Sequence, residues 1–466
     1  MTLLTLASLH SALLEQLGIV LLAAGEGKRM KTDKPKPLVS LANHPLIQYS
    51  LDTAKELKPE RLILVTGYKK DEVKKYVISK NPGDFIFCEQ KERLGTGHAV
   101  KQAAPYLPDT GKTLVLYADV PLVSIKSLRK LIQSCKRKKL SILTAKVTDP
   151  KWYGRIIRDE NEDPIAIREE ADASNLEKNI NEIFTGIMIA ENEFLKKGLK
   201  GLLRNNKAGE YYLTDLVGYA STRQLKIGSA NTDQREILGA NNKEELAVLY
   251  KTLISMNVDQ AKKKGTIFKD ENTCYVEGSL KVGKDVQIGN NVSIKGDVKL
   301  GNSVCIESNV VLSNVTIGAN STIKDFCSIE DSSIAKNVEV GPFARLRNGA
   351  VLDDSAKVGN FVEIKQTKIG AGAKANHHAY LGDATVGKKV NIGAGTITCN
   401  YDGKVKHKTV IDDGSFVGTN TSLVAPLKIG KKAYVAAGSV ITSDVPSGAL
   451  AFGRAKQATK KNWKKK

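Results

Sequence analysis

"VQIGNNVSIKGDVKLGNSVCIESNVVL", residues 286 to 312, places an aliphatic side chain at every sixth position: Ile288, Ile294, Leu300, Ile306 and Leu312. A helix repeats its faces every ~3.6 residues and a strand every two, so neither explains a spacing of six. A parallel β-solenoid does, because each hexad makes one flat side of a triangular coil and its aliphatic residue fills the shared interior. The series starts at Val282 and, after a five-residue step, continues as Ile317, Ile323 and Ile329. Another such step leads to Ile334, Val340, Leu346, Leu352, Val358 and Ile364. It returns as Ile411, Val417, Leu423, Ile429, Val435 and Ile441. Gly follows the aliphatic residue at 283, 289, 301, 341 and 359, as tight corners would require. Between Ile369 and Ile411 the register breaks at "CNYDGKVKHK" (399–408), which reads as an inserted loop leaving the solenoid surface, the kind of segment that carries function.

Upstream the pattern is different. "GIVLLAAG" (18–25), "RLILVTG" (61–67), "TLVLYAD" (113–119) and "LSILTAKV" (140–147) are continuous apolar runs separated by helix-like stretches. Strands covered on both faces read this way, so a mainly parallel, Rossmann-like sheet flanked by helices is expected. Leu246, Leu249 and Leu253 form one stripe of a helix whose lysines crowd its last turn before Gly265, which predicts a helical linker over 244–264. The expected organisation is an α/β domain over 1–243, that linker, and a solenoid over 265–466. Leu6, Leu9, Leu13 and Leu17 fall at helical spacing, so 1–16 reads as a short N-terminal extension.

The 466 residues are ample for two cores. A net charge of +21 favours anionic partners, whether phosphorylated small molecules, nucleic acid or a membrane surface. The tail "KKNWKKK" (460–466) adds to that charge, but no nucleic-acid-binding signature accompanies it. The six cysteines include no C-x-x-C pair, which argues against a disulfide framework or zinc site and fits a reducing cytoplasm. No run reaches the ~18 apolar residues of a membrane span, and the N-terminus lacks a signal peptide's basic start. A cytoplasmic protein is expected.

Two features of the first half carry chemistry. "LAAGEGKRM" (22–30) is a Gly-rich turn at the end of a buried strand, where backbone N–H groups can face phosphate, with Arg29 and Lys36 of "KPKPL" (34–38) near enough to neutralise it. It is neither a dinucleotide fingerprint nor a P-loop, and alone it reads equally as an ordinary turn. Asp119 ends the apolar strand of "TLVLYADVP" (113–121); a carboxylate there is costly unless it faces a cleft and a cation, although capping the next helix would also account for it. Mg²⁺ with a nucleoside triphosphate fits the first case.

With "LGTGHA" (94–99), "YADVPL" (117–122), "YGRI" (153–156), "GEYYLTD" (209–215) and "NN" (241–242), these segments resemble, in order, the sugar-1-phosphate uridylyltransferases. Followed by hexapeptide repeats, the chain is similar from about Gly18 onward to the bacterial bifunctional UDP-N-acetylglucosamine pyrophosphorylase/glucosamine-1-phosphate N-acetyltransferase family. The resemblance implies a nucleotidyltransferase domain, then a left-handed parallel β-helix. It implies acetylation of glucosamine-1-phosphate by acetyl-CoA in the C-terminal half, then UMP transfer from UTP in the N-terminal half. In the nucleotide site it implies Leu22, Ala23, Ala24, Gly25, Tyr117, Ala118 and Asp119, with Gln90, Gly95 and Thr96 reading uracil and Arg29 and Lys36 on the pyrophosphate. Asp119 and Asn241 would ligate Mg²⁺, and Gly154 and Glu169 would contact the sugar. One departure stands out: Phe184 occupies a sugar-pocket position where the family usually has Asn, which puts sugar specificity or turnover in question. Ala118, where Gly is common, is milder.

In "KANHHAYLGD" (374–383) the adjacent His377 and His378 can be read as metal ligands, surface residues or a base. Adjacent residues of an extended strand point to opposite faces, which argues against joint chelation. "NHHAYLGD" resembles the family's N-H-x-x-Y-x-G-D motif, which implies His377 as the base that takes the amine proton, with His378 a bystander. It implies Glu363 orienting the imidazole, Arg347 and Lys365 on the sugar phosphate, and Tyr380 and Asn391 on the sugar. For acetyl-CoA it implies Ala394, Asn400, Tyr401, Thr419, Ala437 and Arg454, with Thr419 in place of a frequent Ser. Such solenoid acyltransferases are generally homotrimers. Two other classes remain open at this point: a single-activity enzyme with one altered half, and a basic scaffold or nucleic-acid-binding solenoid.

Overall fold

The computed structural model describes residues 17–461 and Trp463; the expected N-terminal helix and most of the basic tail lie outside the described residues. Two compact units form, Met1–Thr252 and Leu253–Lys466, and the division falls within one helix, Lys243–Lys263.

The first unit is built on a sheet whose path runs Ile227–Thr232, Leu140–Lys146, Glu182–Glu191, Lys112–Tyr117, Leu17–Ala23, Arg61–Thr66 and Ile86–Glu89. Every neighbour is parallel except Glu182–Glu191, which runs antiparallel to both of its partners. The central strand Leu17–Ala23 is buried along its whole length, which is why it reads as an unbroken apolar run. Helices cover both faces; Ile125–Ser134, for example, begins where the Ser124 hydroxyl accepts from the Ser127 N–H at 3.2 Å. Strand ends Ala23, Glu89 and Tyr117 all lie along one edge of this sheet, as parallel pairing demands.

Among the described residues the second unit is a left-handed parallel β-helix of 26 short strands, the inner ones hydrogen-bonded to the coils above and below. Gln287 pairs with Cys305, eighteen residues on, and Cys305 with Thr322, seventeen on. Three hexads make a coil, and each five-residue step in the sequence series shortens one coil by a residue. From Ile288 through Ile369, and again from Ile411 to Ile441, the hexad residues line one continuous core. That core also takes in Ala375, Leu381, Val386 and Ile392, so the coils continue beneath the stretch where the aliphatic series faded. The insertion stands clear of them, with Tyr401 and Val405 exposed and Asn391 pairing with Phe416, twenty-five residues on.

Two expectations about backbone are corrected. Gly289 and Gly359 are not at positive φ; they are required because the next coil passes too close, a Cβ on Gly289 lying 2.7 Å from the Glu307 carbonyl carbon and one on Gly359 striking Asn376 O. The left-handed corners are occupied instead by residues such as Asn291, Asn309 and Asn337, whose short side chains tolerate that conformation. His378 is itself such a corner, at φ 40°, so His377 and His378 do not alternate across a strand; both are exposed. The same corner on three preceding coils holds Phe326, Phe343 and Phe361, exposed rings stacked 4.9 and 5.2 Å apart.

Candidate active sites

In the first unit a cavity of ≈ 270 Å³ opens at the carboxyl ends of the central strands. Eleven of the twelve residues expected in the nucleotide site line it: Leu22, Ala23, Ala24, Gly25, Lys36, Gln90, Gly95, Thr96, Tyr117, Ala118 and Asp119. Arg29 does not; it is exposed on the single 3₁₀ turn Lys28–Met30. The cation on that rim is Arg93, which the sequence reading passed over and whose guanidinium pairs with Glu26.

Lys36 is buried, and its ammonium reaches Asp119 Oδ2 at 2.5 Å and Asn241 Oδ1 at 2.7 Å. The carboxylate and amide oxygens that the resemblance assigns to one ion thus converge on one positive charge, and both are the hard oxygen donors that Mg²⁺ takes. Asn241 is held for this by Glu245, which accepts from its backbone N–H and from its Nδ2.

Gly154 and Glu169 are also adjacent: a Cβ on Gly154 would lie 3.4 Å from Glu169 Oε2. Burial raises the Glu169 carboxyl above its ordinary 4.5, against the pull of the Thr214 hydroxyl, which donates to Oε1 at 2.9 Å. The Tyr117 phenol is pushed up by burial, with the Asp119 and Glu169 carboxylates adding to it, so its ring feels both ends of the site. Phe184 packs in the apolar cluster with Ile156, Ile167 and Met188, and its backbone N–H donates to Gly154 O at 2.8 Å.

In the second unit, coil stacking brings the other candidates together. Arg347 sits directly beside Lys365, and Glu363 beside Tyr380. Arg347 Nε donates to Glu363 Oε1 at 2.6 Å, so Glu363 meets the guanidinium. The imidazole of His377 is placed by Asn360, one coil below, at Nδ1···Oδ1 2.9 Å. An amide oxygen only accepts, so Nδ1 carries the proton of the neutral ring, whose Nε2 then has the lone pair for an incoming amine. Lys365 is buried against Asp383 Oδ2 at 3.4 Å, and Asn400 Nδ2 donates to the same carboxylate oxygen. Lys406, from the inserted loop, meets Lys365; that contact and then Asp383 hold the Lys365 amine up, while Lys406 is pushed down by Lys365.

Asn391 lies one coil beyond Lys374, on a strand stacked against the start of the one that holds His377 and Tyr380. The remaining candidates form a column: Ala394 O accepts from Asn420 N at 2.7 Å, Thr419 O from Gly438 N at 2.7 Å, and Ala437 O from Arg454 Nη1 at 2.9 Å. Tyr401 stands apart, exposed on the loop, its hydroxyl donating to Gly403 O at 2.7 Å.

Among known families, the MobA-like NTP transferase domain matches residues 19–169 and the GMPPB C-terminal domain matches 271–369. "Bifunctional protein GlmU" of Janthinobacterium sp. (strain Marseille) is 44% identical over 451 residues, covering 96% of this chain and 99% of that protein. The protein of the same name from Nitrosomonas europaea is 44% identical over 452 residues, covering 97% and 98%.

Proposed function

The chain belongs to the bifunctional GlmU family, and from that premise we propose how its two sites divide the work. It is an enzyme that makes UDP-N-acetylglucosamine: the C-terminal half acetylates glucosamine-1-phosphate with acetyl-CoA, and the N-terminal half then transfers UMP from UTP, releasing pyrophosphate. The domain bounds follow the helix Lys243–Lys263, with the uridylyltransferase before it and the acetyltransferase after it.

For uridylyl transfer, the observation that carries the reading is the convergence of Asp119 and Asn241 on a single cation inside the cavity. These two residues would hold Mg²⁺, which supplies positive charge to the phosphate oxygens when bound. Lys36 moves onto the departing pyrophosphate. The Gly-rich turn at Gly25 cradles phosphate, Gln90, Gly95 and Thr96 read uracil, and Gly154 with Glu169 hold the sugar. The protein's work is alignment and charge stabilisation of an in-line displacement.

For acetyl transfer, His377 Nε2 takes the amine proton as the nitrogen attacks the thioester carbonyl, then passes it to sulfur as the C–S bond breaks and the CoA thiol leaves. Arg347 and Lys365 grip the sugar phosphate, with Glu363 holding the Arg347 guanidinium. Tyr380 and Asn391 face the sugar, and the column of Ala394, Thr419, Ala437 and Arg454, with Asn400 and Tyr401, receives acetyl-CoA. The exposed column Phe326, Phe343 and Phe361 supports self-association, which fits a homotrimer. The enzyme acts in the cytoplasm on small molecules, and no helix among the described residues is long and apolar enough to cross a membrane.

Incubation with glucosamine-1-phosphate, acetyl-CoA and UTP, with product identification by mass spectrometry, tests the reading. The expected result is UDP-N-acetylglucosamine with one thiol and one pyrophosphate released per molecule. Product stalled at N-acetylglucosamine-1-phosphate would remove the first half from the scheme.

A further inference from the structure

Gln90 is buried on the cavity wall, and what its amide shows to a bound base depends on which way round it sits. Its nitrogen lies 3.2 Å from Gly95 O and 3.3 Å from His98 Nδ1. A backbone carbonyl can only accept, so the first contact fixes the NH₂ group there. The second then consumes the remaining N–H, provided that His98 Nδ1 offers a lone pair. Gln90 Oε1, which no described hydrogen bond engages, is left as an acceptor with no donor beside it.

The opposite nitrogen of the same ring settles whether Nδ1 has that lone pair. His98 Nε2 lies 3.0 Å from the side-chain amide of Gln102, one helical turn on in Thr96–Ala103. A neutral imidazole has one donor and one acceptor, so the two glutamines cannot both give it an N–H. Gln102 is half-exposed and its NH₂ otherwise reaches only His98 O, at 3.2 Å, a carbonyl on its own helix. Turning that amide over would bring its oxygen toward His98 O, but a half-exposed side chain can swing clear of that carbonyl while water receives the displaced NH₂. Gln90 is buried and lacks that freedom to swing aside, so turning it would hold its oxygen against Gly95 O. The ring therefore carries its proton on Nε2, facing the Gln102 oxygen, and Nδ1 holds Gln90. The Tyr211 ring stacks on the imidazole at 6.2 Å and 26°, and Tyr211 O takes the Gly97 N–H at 2.9 Å, which fixes the ring plane.

We propose that His98 is a positioning residue that sets base selectivity by locking the Gln90 amide with its oxygen toward the pyrimidine. An acceptor-only edge complements the imide N–H of uracil and opposes the lone pair on the same ring nitrogen of cytosine. This deepens the reading of Gln90 as the uracil contact and rests on it.

The test is kcat/KM of pyrophosphate release for UTP and for CTP, with N-acetylglucosamine-1-phosphate, in the full-length enzyme and three variants. His98→Leu removes the lock and lets the amide rotate, so the UTP-over-CTP preference falls about tenfold, through loss with UTP and gain with CTP. His98→Asn sets an amide oxygen near the place of Nδ1 and keeps most of the preference. Urea melts followed by the helical circular-dichroism signal, which comes from the first unit's helices, report that each variant is folded. Equal loss with both nucleotides in His98→Leu, or equal collapse of preference in His98→Asn and His98→Leu, overturns the proposal. Gln90→Ala separates the two layers: if it leaves the preference intact, the reading of Gln90 itself fails, whereas if it erases the preference and His98→Leu does not, only the role of His98 fails.

Discussion

The tandem His377 and His378 give a graded prediction for acetyl transfer. Nδ1 of His377 is engaged by Asn360 at 2.9 Å and Nε2 is left basic, whereas His378 holds a left-handed corner. His377→Ala removes the base, worth about 10² to 10⁴ in rate. Asn360→Ala leaves the base and removes one neutral hydrogen bond; at about 1 kcal/mol that is a loss of about fivefold, in kcat more than in KM for the sugar, because the ring is misplaced and the sugar's own contacts remain. For the neighbour, His378→Asn is the suitable change, since Asn tolerates the φ of 40° and already fills other corners of the same solenoid. It should cost less than about twofold, within the scatter expected of a surface substitution. Thiol release from acetyl-CoA under saturating glucosamine-1-phosphate measures all three, with pyrophosphate release from UTP as the internal control. If His378→Asn costs more than His377→Ala, or Asn360→Ala as much as His377→Ala, the assignment of base and orienting group is wrong.

Three further outcomes follow from the geometry. Lys36→Met, which strips the ammonium from between Asp119 and Asn241, should slow pyrophosphate release about 10²- to 10³-fold and leave thiol release untouched; a loss under threefold would place Lys36 outside the reaction. Gly382→Ala would put a methyl 2.7 Å from Tyr380 Cζ and 2.8 Å from Asn400 Nδ2, so acetyl transfer should fall at least about tenfold and the solenoid lose about 1 to 3 kcal/mol in urea melts, while normal activity would contradict the packing. Because burial raises the Glu169 carboxyl, the folded state holds that proton more tightly than the unfolded chain; the resulting stability is whole below the ordinary 4.5 and is lost as pH rises through the folded pKa. Glu169→Gln should therefore gain on the parent in urea midpoint as pH climbs from about 4 to about 8 while losing uridylyl transfer, and a pH-independent difference would refute it.

The solenoid was readable because Ile288, Ile306, Leu346 and their equivalents all occupy one kind of interior slot, so the sequence repeats whenever the backbone does. Where the slot takes Ala375, the aliphatic pattern fades although the coil persists. The cavity residues were readable for a similar reason: turns such as Ala23–Gly25 and Tyr117–Asp119 follow buried parallel strands, and parallel pairing delivers them to one edge. Pairwise partners were not readable. The six- and five-residue steps give each coil its length and each side chain its face, but not how a polar side chain leaves its coil, which is what brings Asn360 to His377 and Glu363 to Arg347. Arg93 was missed because its place on the rim depends on a salt bridge to Glu26, a tertiary contact with no local pattern.

Arg347 and Lys365 occupy adjacent strands of the coil stack, a separation fixed at about 4.8 Å by backbone hydrogen bonding. The spacing at which these two side chains leave the backbone is thus a property of the main chain, indifferent to which aliphatic fills the interior behind them. Mutational drift among Val, Ile and Leu inside the column can retune its melting without altering the gauge of the anion clamp, so stability and phosphate geometry are free to evolve on separate axes.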